Sequence, residues 1–193
     1  MKERILVTGG TGYIGSHTVV ELQNSGYDVV IVDNLSNSSA DVVDNIEKVS
    51  GIRPAFEKLD CLDLEGMDKL FTKYPGIKGI IHFAASKAVG ESVQKPLLYY
   101  RNNLVSLINL LELMPKHGVE GIIFSSSCTV YGQPDVLPVT EEAPIKKAES
   151  PYGNTKQINE EIVRDTVASG APINAILLRY FNPIGAHPTA LLG

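Results

Sequence analysis

Three glycines between an apolar run and a helical pattern constrain the fold of this chain more than any other feature. The run Arg4–Thr8 is followed by Gly9, Gly12 and Gly15, and the helical pattern covers Tyr13–Asn24. In such a strand-turn-helix unit, the first glycine permits a tight turn and the second lets the backbone approach a pyrophosphate. The third lets the helix pack on the strand. The pattern predicts a dinucleotide site, and the alternative is a glycine turn that only packs.

Apolar runs and helical patterns alternate along the rest of the chain. Further strands are predicted at Val29–Val32, Ala55–Leu59, Gly79–Phe83, Gly121–Ser125 and Asn174–Leu178. Further helices are predicted at Val42–Val49, Met67–Tyr74, Leu98–Met114 and Pro151–Ala168. Continuous apolar strands joined by helices indicate a parallel sheet that is covered on both faces. We therefore expect an α/β fold with a doubly wound, Rossmann-type sheet of about six strands, and a surface loop at Tyr131–Ser150.

Composition limits the class of protein and its partners. The chain has 193 residues, of which 44% are hydrophobic and 20% charged, so we expect one globular domain over residues 1–193. A net charge of −5 and the lack of a Lys/Arg cluster argue against a nucleic-acid partner. The N-terminal apolar run is too short for a signal or a membrane span, which predicts a cytoplasmic protein with no membrane partner. Cys61 and Cys128 are expected to be free thiols, and no metal site is expected.

Asp33 ends the second predicted strand and indicates which dinucleotide binds. Its carboxylate can accept hydrogen bonds from the adenosine ribose hydroxyls, and its charge would repel a 2′-phosphate. The neighbours Asn34, Asn37 and Ser38 are uncharged and offer no cation to such a phosphate. NAD is therefore favoured over NADP as the cofactor. The alternative is that Asp33 only caps the following turn.

Ser127, Tyr152 and Lys156 form a second group of candidate residues. Tyr152 and Lys156 are four residues apart, on one face of a predicted helix, and Ser127 follows a predicted central strand. A free tyrosine has a pKa of about 10. A nearby ammonium and a cationic nicotinamide ring are both expected to lower the pKa of Tyr152, which would make it a general base. Ser127 could hold the same substrate oxygen.

These motifs together resemble the extended short-chain dehydrogenase/reductase family. The resemblance rests on the glycine turn, on Phe83–Lys87 and on the Ser-Tyr-Lys set. Within that family, four segments are similar to the UDP-glucose 4-epimerases: Lys87–Ser92, Ser125–Gly132, Ser150–Lys156 and Leu178–Pro188. The similarity runs along the whole chain. It implies interconversion of UDP-glucose and UDP-galactose, with NAD held tightly and regenerated in each turnover.

The resemblance also assigns residues to NAD and to a UDP-sugar. The residues that it assigns to NAD are Gly9, Gly12, Tyr13, Ile14, Gly15, Asp33, Asn34, Leu35, Ser36, Asn37, Ser38, Asp60, Cys61, Phe83, Ala84, Ala85, Ser86, Lys87, Asn102, Ser127, Tyr152, Lys156 and Phe181. Those that it assigns to the UDP-sugar are Lys87, Ser127, Tyr152, Tyr180 and Asn182. It implies that Tyr152 takes the proton of the sugar 4-hydroxyl while hydride leaves C4.

Several positions have simpler interpretations. Asp60 could be a turn residue, Lys87 a solvated loop charge, and His82 a hydrogen-bonded core histidine rather than a base. A related dehydratase or decarboxylase would need an acidic residue after the strand-end hydroxyl, where this chain has Cys128 and Thr129.

A binding module without turnover is the alternative from another class. Related enzymes continue beyond the segment that matches Pro188 into a smaller part with most of the uridine and sugar contacts. The resemblance therefore implies an N-terminal part that keeps the NAD fold and turns over substrate poorly. Uncovered apolar surface near the C-terminal end of the sheet would favour self-association, for example as a homodimer.

Overall fold

A single six-stranded parallel sheet organises the computed structural model, which describes residues 2–192. The strands are β1 (Arg4–Thr8), β2 (Asp28–Asp33), β3 (Ala55–Lys58), β4 (Ile77–His82), β5 (Gly121–Ser127) and β6 (Asn174–Tyr180). The helices are α1 (Tyr13–Asn24), α2 (Asp41–Ser50), α3 (Leu64–Lys73), α4 (Val89–Gln94), α5 (Pro96–Lys116) and α6 (Pro151–Ala168). The strand order is β3-β2-β1-β4-β5-β6. This order reverses between β1 and β4 and confirms the predicted doubly wound fold.

Three of the differences from the predicted elements have a plain cause in the sequence. Helix α4 (Val89–Gln94) was not predicted, since six residues are too few to show a helical period. Helix α5 begins at Pro96, two residues before the predicted start, because proline suits the first helical turn. Strand β5 continues to Ser127, where Ser126 and Ser127 pair with Arg179 and Tyr180 of β6. These serines give no hydrophobic signal, although they belong to the ladder.

The core lies on both faces of the sheet. Leu6 of β1 packs in a cluster with Phe71 of α3 and Leu107 of α5. The next residue, Val7, packs on the other face with Val19 of α1 and other buried residues. Successive side chains of a strand point to opposite faces, so continuous apolar strands fill both layers. The site therefore lies at the ends of the strands and not on a face of the sheet.

Strand β6 forms one edge of the sheet and leaves apolar side chains uncovered. Ile176 exposes 55% of its surface, and Ile184, in the segment after β6, exposes 94%. Leu178 and Phe181 are exposed as well. The predicted uncovered apolar surface at this end of the sheet is therefore present. Among residues 2–192, no helix combines the length and the apolar character that crossing a membrane requires.

The glycine turn brings α1 unusually close to the sheet. Gly9 has a φ of +71°, and a Cβ there would lie 2.7 Å from the backbone nitrogen of Ala84. A Cβ on Gly15 would overlap with the carbonyl oxygen of Gly9. Side chains at these two positions would push the first turn of α1 away from β1 and β4. Gly15 thus packs against the turn at Gly9 and Gly10, where the prediction had placed the strand.

We expect Gly15→Ala to lower the free energy of unfolding by about 1–3 kcal/mol, because the added methyl group overpacks the turn. The matched control is Gly90→Ala in α4, where a Cβ would meet nothing within 4 Å. The control adds no clash and gains helix propensity, so it should leave the free energy of unfolding unchanged or raise it by up to about 1 kcal/mol. Urea unfolding of the two variants and the wild type measures both values. Equal stabilities of the two variants would contradict the close approach.

Candidate active site

A cavity of about 500 Å³ opens at the carboxyl ends of the strands, beside the point where the strand order reverses. Most of the predicted site residues line it: Gly9, Gly12, Tyr13, Ile14, Gly15, Asp33, Asn34, Ser36, Asn37, Asp60, Cys61, Phe83, Ala84, Ala85, Ser86, Lys87, Asn102, Ser127, Tyr152, Lys156, Tyr180, Phe181 and Asn182. They come from all parts of the chain. The parallel topology gathers them because every strand ends at the same edge.

Two predicted residues lie outside the cavity wall. Leu35 has a φ of +61°, and its backbone N–H donates to the Asp33 carboxylate. The Ser38 hydroxyl also donates to that carboxylate, at 3.1 Å. Both residues therefore hold Asp33 in place instead of lining the cavity.

Nine residues of the cavity wall were not predicted from the sequence. The additional residues are Val32, Leu59, Val89, Ser106, Ser125, Ser126, Cys128, Thr129 and Pro183. Most of them neighbour a predicted residue in sequence, so the strand ends could have indicated them. Ser106 lies inside α5, and only the packing of α5 over the strand ends brings it to the cavity.

The N-terminus of α1 is open to an anion. Its N-cap is Gly12, which has no side chain to bond the first helical N–H groups, and the first turn contains no acidic residue. Unbonded N–H groups and the positive end of the helix dipole favour a phosphate at such a position. The geometry therefore fits the pyrophosphate of a dinucleotide.

Asp33 lies at the end of β2 and is held by the protein. One of its carboxylate oxygens accepts from the backbone N–H of Thr11 at 3.2 Å, and the other accepts from Leu35 and Ser38. The capping of the following turn is therefore present, as the simpler interpretation held. A carboxylate offers about four lone-pair sites, and three hydrogen bonds leave room for another donor. Asp33 can cap the turn and still accept a ribose hydroxyl.

Asp60 and Cys61 lie beside Asp33 at the same end of the cavity. The Asp60 carboxylate accepts from the Asn34 amide at 2.9 Å and from the Leu62 backbone N–H at 2.9 Å. Asp60 is thus a turn residue and a wall residue at once. Burial raises the pKa of the Cys61 thiol to about 12, helped by the negative charges of Asp60 and Asp33. The thiol therefore stays protonated and packs as a small apolar group.

Ser127, Tyr152 and Lys156 meet at the other end of the cavity. The Ser127 hydroxyl lies close enough to the Tyr152 hydroxyl to lower its pKa, and both side chains line the cavity. The Lys156 ammonium donates to the Ser125 carbonyl at 2.6 Å and lies 5.8 Å from the centre of the Tyr152 ring. Helix α6 presents its residues four apart to the end of β5, so the predicted juxtaposition is present.

The expected lowering of the Tyr152 pKa by Lys156 is absent from the protein alone. Burial raises the pKa of Tyr152, and this outweighs the lowering by the Ser127 hydroxyl. The Lys156 ammonium lies over the ring and bonds the Ser125 carbonyl, so it does not reach the phenol oxygen. Burial also lowers the pKa of Lys156 to about 8. Deprotonation of Tyr152 near neutral pH therefore needs a further positive charge in the cavity.

His82 behaves as the predicted core histidine. Its Nδ1 lies 2.7 Å from the Thr8 hydroxyl, and its ring stacks on Phe124. Burial lowers the pKa of His82 to about 3, with a smaller effect from the Lys156 charge. The ring therefore stays neutral and is part of the support beneath the cavity.

The remaining wall carries groups suited to a polar ligand. Lys87 lies exposed on the loop before α4. The Asn102 amide donates to the Ser86 hydroxyl at 3.2 Å, and the Tyr180 ring lies 6.4 Å from that of Phe83. Among residues 2–192, no group of three or more His, Cys, Asp or Glu side chains could hold a metal ion. The arrangement suits a long ligand with phosphates at α1 and a reacting group near Tyr152.

Comparisons with known proteins agree with this geometry. Residues 5–192 match the model of the NAD dependent epimerase/dehydratase family. The chain is 50% identical to a UDP-glucose 4-epimerase of Dictyostelium discoideum over 99% of its length, and 52% identical to one of Bacillus subtilis over 98%. It spans about 55% of the length of both relatives.

Solved structures of UDP-glucose 4-epimerases superimpose closely on this chain. A UDP-glucose 4-epimerase of Bifidobacterium longum in complex with NAD+ and UDP superimposes with a TM-score of 0.96 at 48% identity. It matches 98% of this chain, which covers 56% of that structure. The enzyme of Stenotrophomonas maltophilia with bound NAD and formylated UDP-arabinopyranose gives a TM-score of 0.95 at 47% identity. The match covers 99% of this chain and 56% of that one.

The burial of Lys156 predicts a pH-dependent stability. A lysine in the unfolded chain titrates near 10.5, and Lys156 in the folded chain titrates at about 8. Between these values the unfolded state binds more protons, so the free energy of unfolding rises with pH across this window. Relative to Lys156→Met, the wild type should gain about 3 kcal/mol from pH 8 to 10.5.

Urea unfolding at several pH values measures this difference. The control is Lys69→Met, because Lys69 is exposed and its pKa is raised by Glu65. The free energy of unfolding of Lys69→Met should run parallel to that of the wild type between pH 8 and 10.5. A Lys156→Met profile parallel to the wild type would show that burial does not lower the pKa of Lys156.

Proposed function

The chain belongs to the NAD dependent epimerase/dehydratase family, and we propose that it is the NAD-binding and catalytic part of a UDP-glucose 4-epimerase. Relatives with that name match nearly the whole chain. The chain spans about 55% of their length, so its own turnover is part of the proposal.

One observation carries the proposal. The glycine turn with Asp33 and the set of Ser127, Tyr152 and Lys156 lie far apart in the sequence, yet both line one cavity. A dinucleotide with its phosphates at α1 and its adenosine ribose at Asp33 would bring its nicotinamide toward Tyr152. The open α1 N-terminus and the remaining acceptor capacity of Asp33 support NAD as the cofactor.

Tyr152 and Ser127 would act on the 4-hydroxyl of the sugar. When bound, NAD would supply a hydride acceptor and, in its oxidised form, a positive charge in the cavity. That charge favours the phenolate of Tyr152, which would accept the proton of the 4-hydroxyl. Ser127 would hold the 4-oxygen through its hydroxyl. Loss of this proton and of the C4 hydride would give a 4-keto sugar. After the sugar has turned, the hydride would return to the other face of C4 and Tyr152 would return the proton, with no net oxidation of substrate.

Lys156 would orient the cofactor more than it tunes Tyr152. Its ammonium is fixed on the Ser125 carbonyl, so its contribution to the Tyr152 pKa in the protein alone is small. From this fixed position it can donate a second hydrogen bond into the cavity, for example to the nicotinamide ribose. Lys87, Tyr180 and Asn182 line the part of the wall where the UDP-sugar would enter.

The sequence after Ser127 favours epimerisation over elimination. Cys128 and Thr129 line the cavity where a dehydratase or a decarboxylase of this family would need a carboxylate. No acidic side chain among residues 2–192 lines this end of the cavity; its two acidic wall residues, Asp33 and Asp60, lie at the other end. Residues 1–193 as one domain, a homodimer and a cytoplasmic location stay predictions.

Conversion of UDP-galactose to UDP-glucose by the chain with NAD tests the proposal. We expect Tyr152→Phe to lower the rate by about 10²- to 10⁴-fold, because the general base is lost. The control is Tyr74→Phe, since the Tyr74 hydroxyl bonds Glu57 and is not part of the cavity wall. It should keep the rate within about twofold.

Three results would decide against parts of the proposal. Full activity of Tyr152→Phe would remove Tyr152 from the reaction. A 4-keto-6-deoxy product from dTDP-glucose would make the protein a dehydratase. NAD binding without any turnover would favour a binding module.

A further inference from the structure

Glu160 is a buried acid that the proposed chemistry does not use. It lies on α6, and its side chain is 0% exposed. Tyr152, Lys156 and Glu160 follow each other at intervals of four residues, so all three lie on one face of the helix. A buried carboxylate is costly without partners. Its partners therefore indicate what it does.

The Glu160 carboxylate joins three elements of the fold. One oxygen accepts from the Ser126 hydroxyl of β5 at 2.6 Å and from Nε of Arg179 of β6 at 2.9 Å. The other accepts from Arg179 at 2.7 Å and from Arg164 at 2.7 Å. The Arg179 side chain is 16% exposed and also lies over the Tyr131 ring, at 4.8 Å. Burial opposes ionisation of Glu160, but the bonds from Arg179 and Ser126 outweigh it and lower its pKa.

The contacts of α6 with β5 form two groups along the helix. At the cavity end, the Lys156 ammonium bonds the Ser125 carbonyl, and Tyr152 lines the same cavity as Ser127. One turn further from the cavity, Glu160 reaches the hydroxyl of Ser126. The bonds to β5 therefore hold α6 at two levels along its axis.

The bond to Arg179 extends the same constraint to β6. Arg179 pairs with Ser126 in the sheet, and the next pair is Tyr180 with Ser127. Tyr180 and the two residues after it line the cavity. A shift of Arg179 would therefore be passed to the proposed substrate wall, while a shift of Glu160 would be passed to Tyr152 and Lys156.

We propose that Glu160 is a positioning residue, which sets the place of Tyr152 and Lys156 on α6 relative to Ser127 on β5 and Tyr180 on β6. The inference rests on the proposed function for its effect on NAD. The placement of α6 against β5 and β6 by Glu160 concerns this chain alone and does not depend on NAD. The charge matters because an arginine side chain has donors only. In Glu160→Gln, the new amide NH₂ would face one of the guanidinium groups.

The test compares four variants with the wild-type chain, below the unfolding temperature of each. Glu160→Gln removes the charge, and Glu160→Asp retains it. Arg164→Ala is the matched control, because Arg164 bonds the same carboxylate from a side chain that is 48% exposed. Arg179→Lys is a milder variant in case Glu160→Gln does not fold, since it keeps the charge and loses the paired bonds. The readouts are NAD affinity by calorimetry and hydrogen exchange of the backbone amides.

Glu160→Gln should weaken NAD binding by about tenfold or more, because a misplacement of about 1 Å has large effects in such sites. Exchange at the amides of Ser127 and Tyr180 should become faster in Glu160→Gln and in Arg179→Lys. Glu160→Asp should recover part of the NAD affinity and part of the protection from exchange. Arg164→Ala should keep its NAD affinity and its exchange rates within about twofold of the wild type.

A folded Glu160→Gln with wild-type exchange at Ser127 and Tyr180 would overturn the proposal, and so would wild-type NAD affinity. A loss of stability with both readouts unchanged would mean a structural role only and would also overturn it. Failure of the wild type to bind NAD would count against the proposed function instead. The exchange data would then still decide the role of Glu160.

Discussion

Helix α1 starts in close contact with the glycine turn, which is itself in close contact with the segment that follows β4. Gly9 and Gly15 leave no room for a side chain between the turn, the helix and Ala84 after β4. This contact sets the start of α1 and brings its unbonded N–H groups to the edge of the sheet. It also fixes the crevice between β1 and β4, where the strand order reverses. The cavity forms at that crevice.

Helix α6 shows how the fold holds charged groups in a buried position. Lys156 and Glu160 are both buried and both bond to β5, but their surroundings differ. Glu160 has two arginines and stays ionised. Lys156 has one carbonyl and the face of the Phe124 ring, at 4.8 Å, and its pKa falls to about 8. Stability alone does not favour such a lysine, which is consistent with a functional reason for its place.

Sequence patterns were sufficient for the sheet and for much of the cavity. Apolar runs and glycine spacing carry the information for strands and turns, and the parallel topology then gathers Asp33, Ser127 and Tyr152 at one edge. What the patterns could not supply was long-range pairing. Glu160 and Arg179 look like ordinary surface charges in the sequence, and only the packing of α6 on β5 and β6 brings them together. The same holds for the direction of the Tyr152 pKa, which depends on burial.

A crystal structure of the chain grown with NAD would show whether the one cavity holds the whole dinucleotide. We expect the pyrophosphate at the N-terminus of α1, an adenosine ribose hydroxyl on the Asp33 carboxylate, and the nicotinamide beside Tyr152 and Lys156. NADP at the same concentration should be absent from this cavity, because Asp33 would repel its 2′-phosphate. A dinucleotide bound in the opposite direction, or bound away from the glycine turn, would contradict the proposed roles of Asp33 and Tyr152.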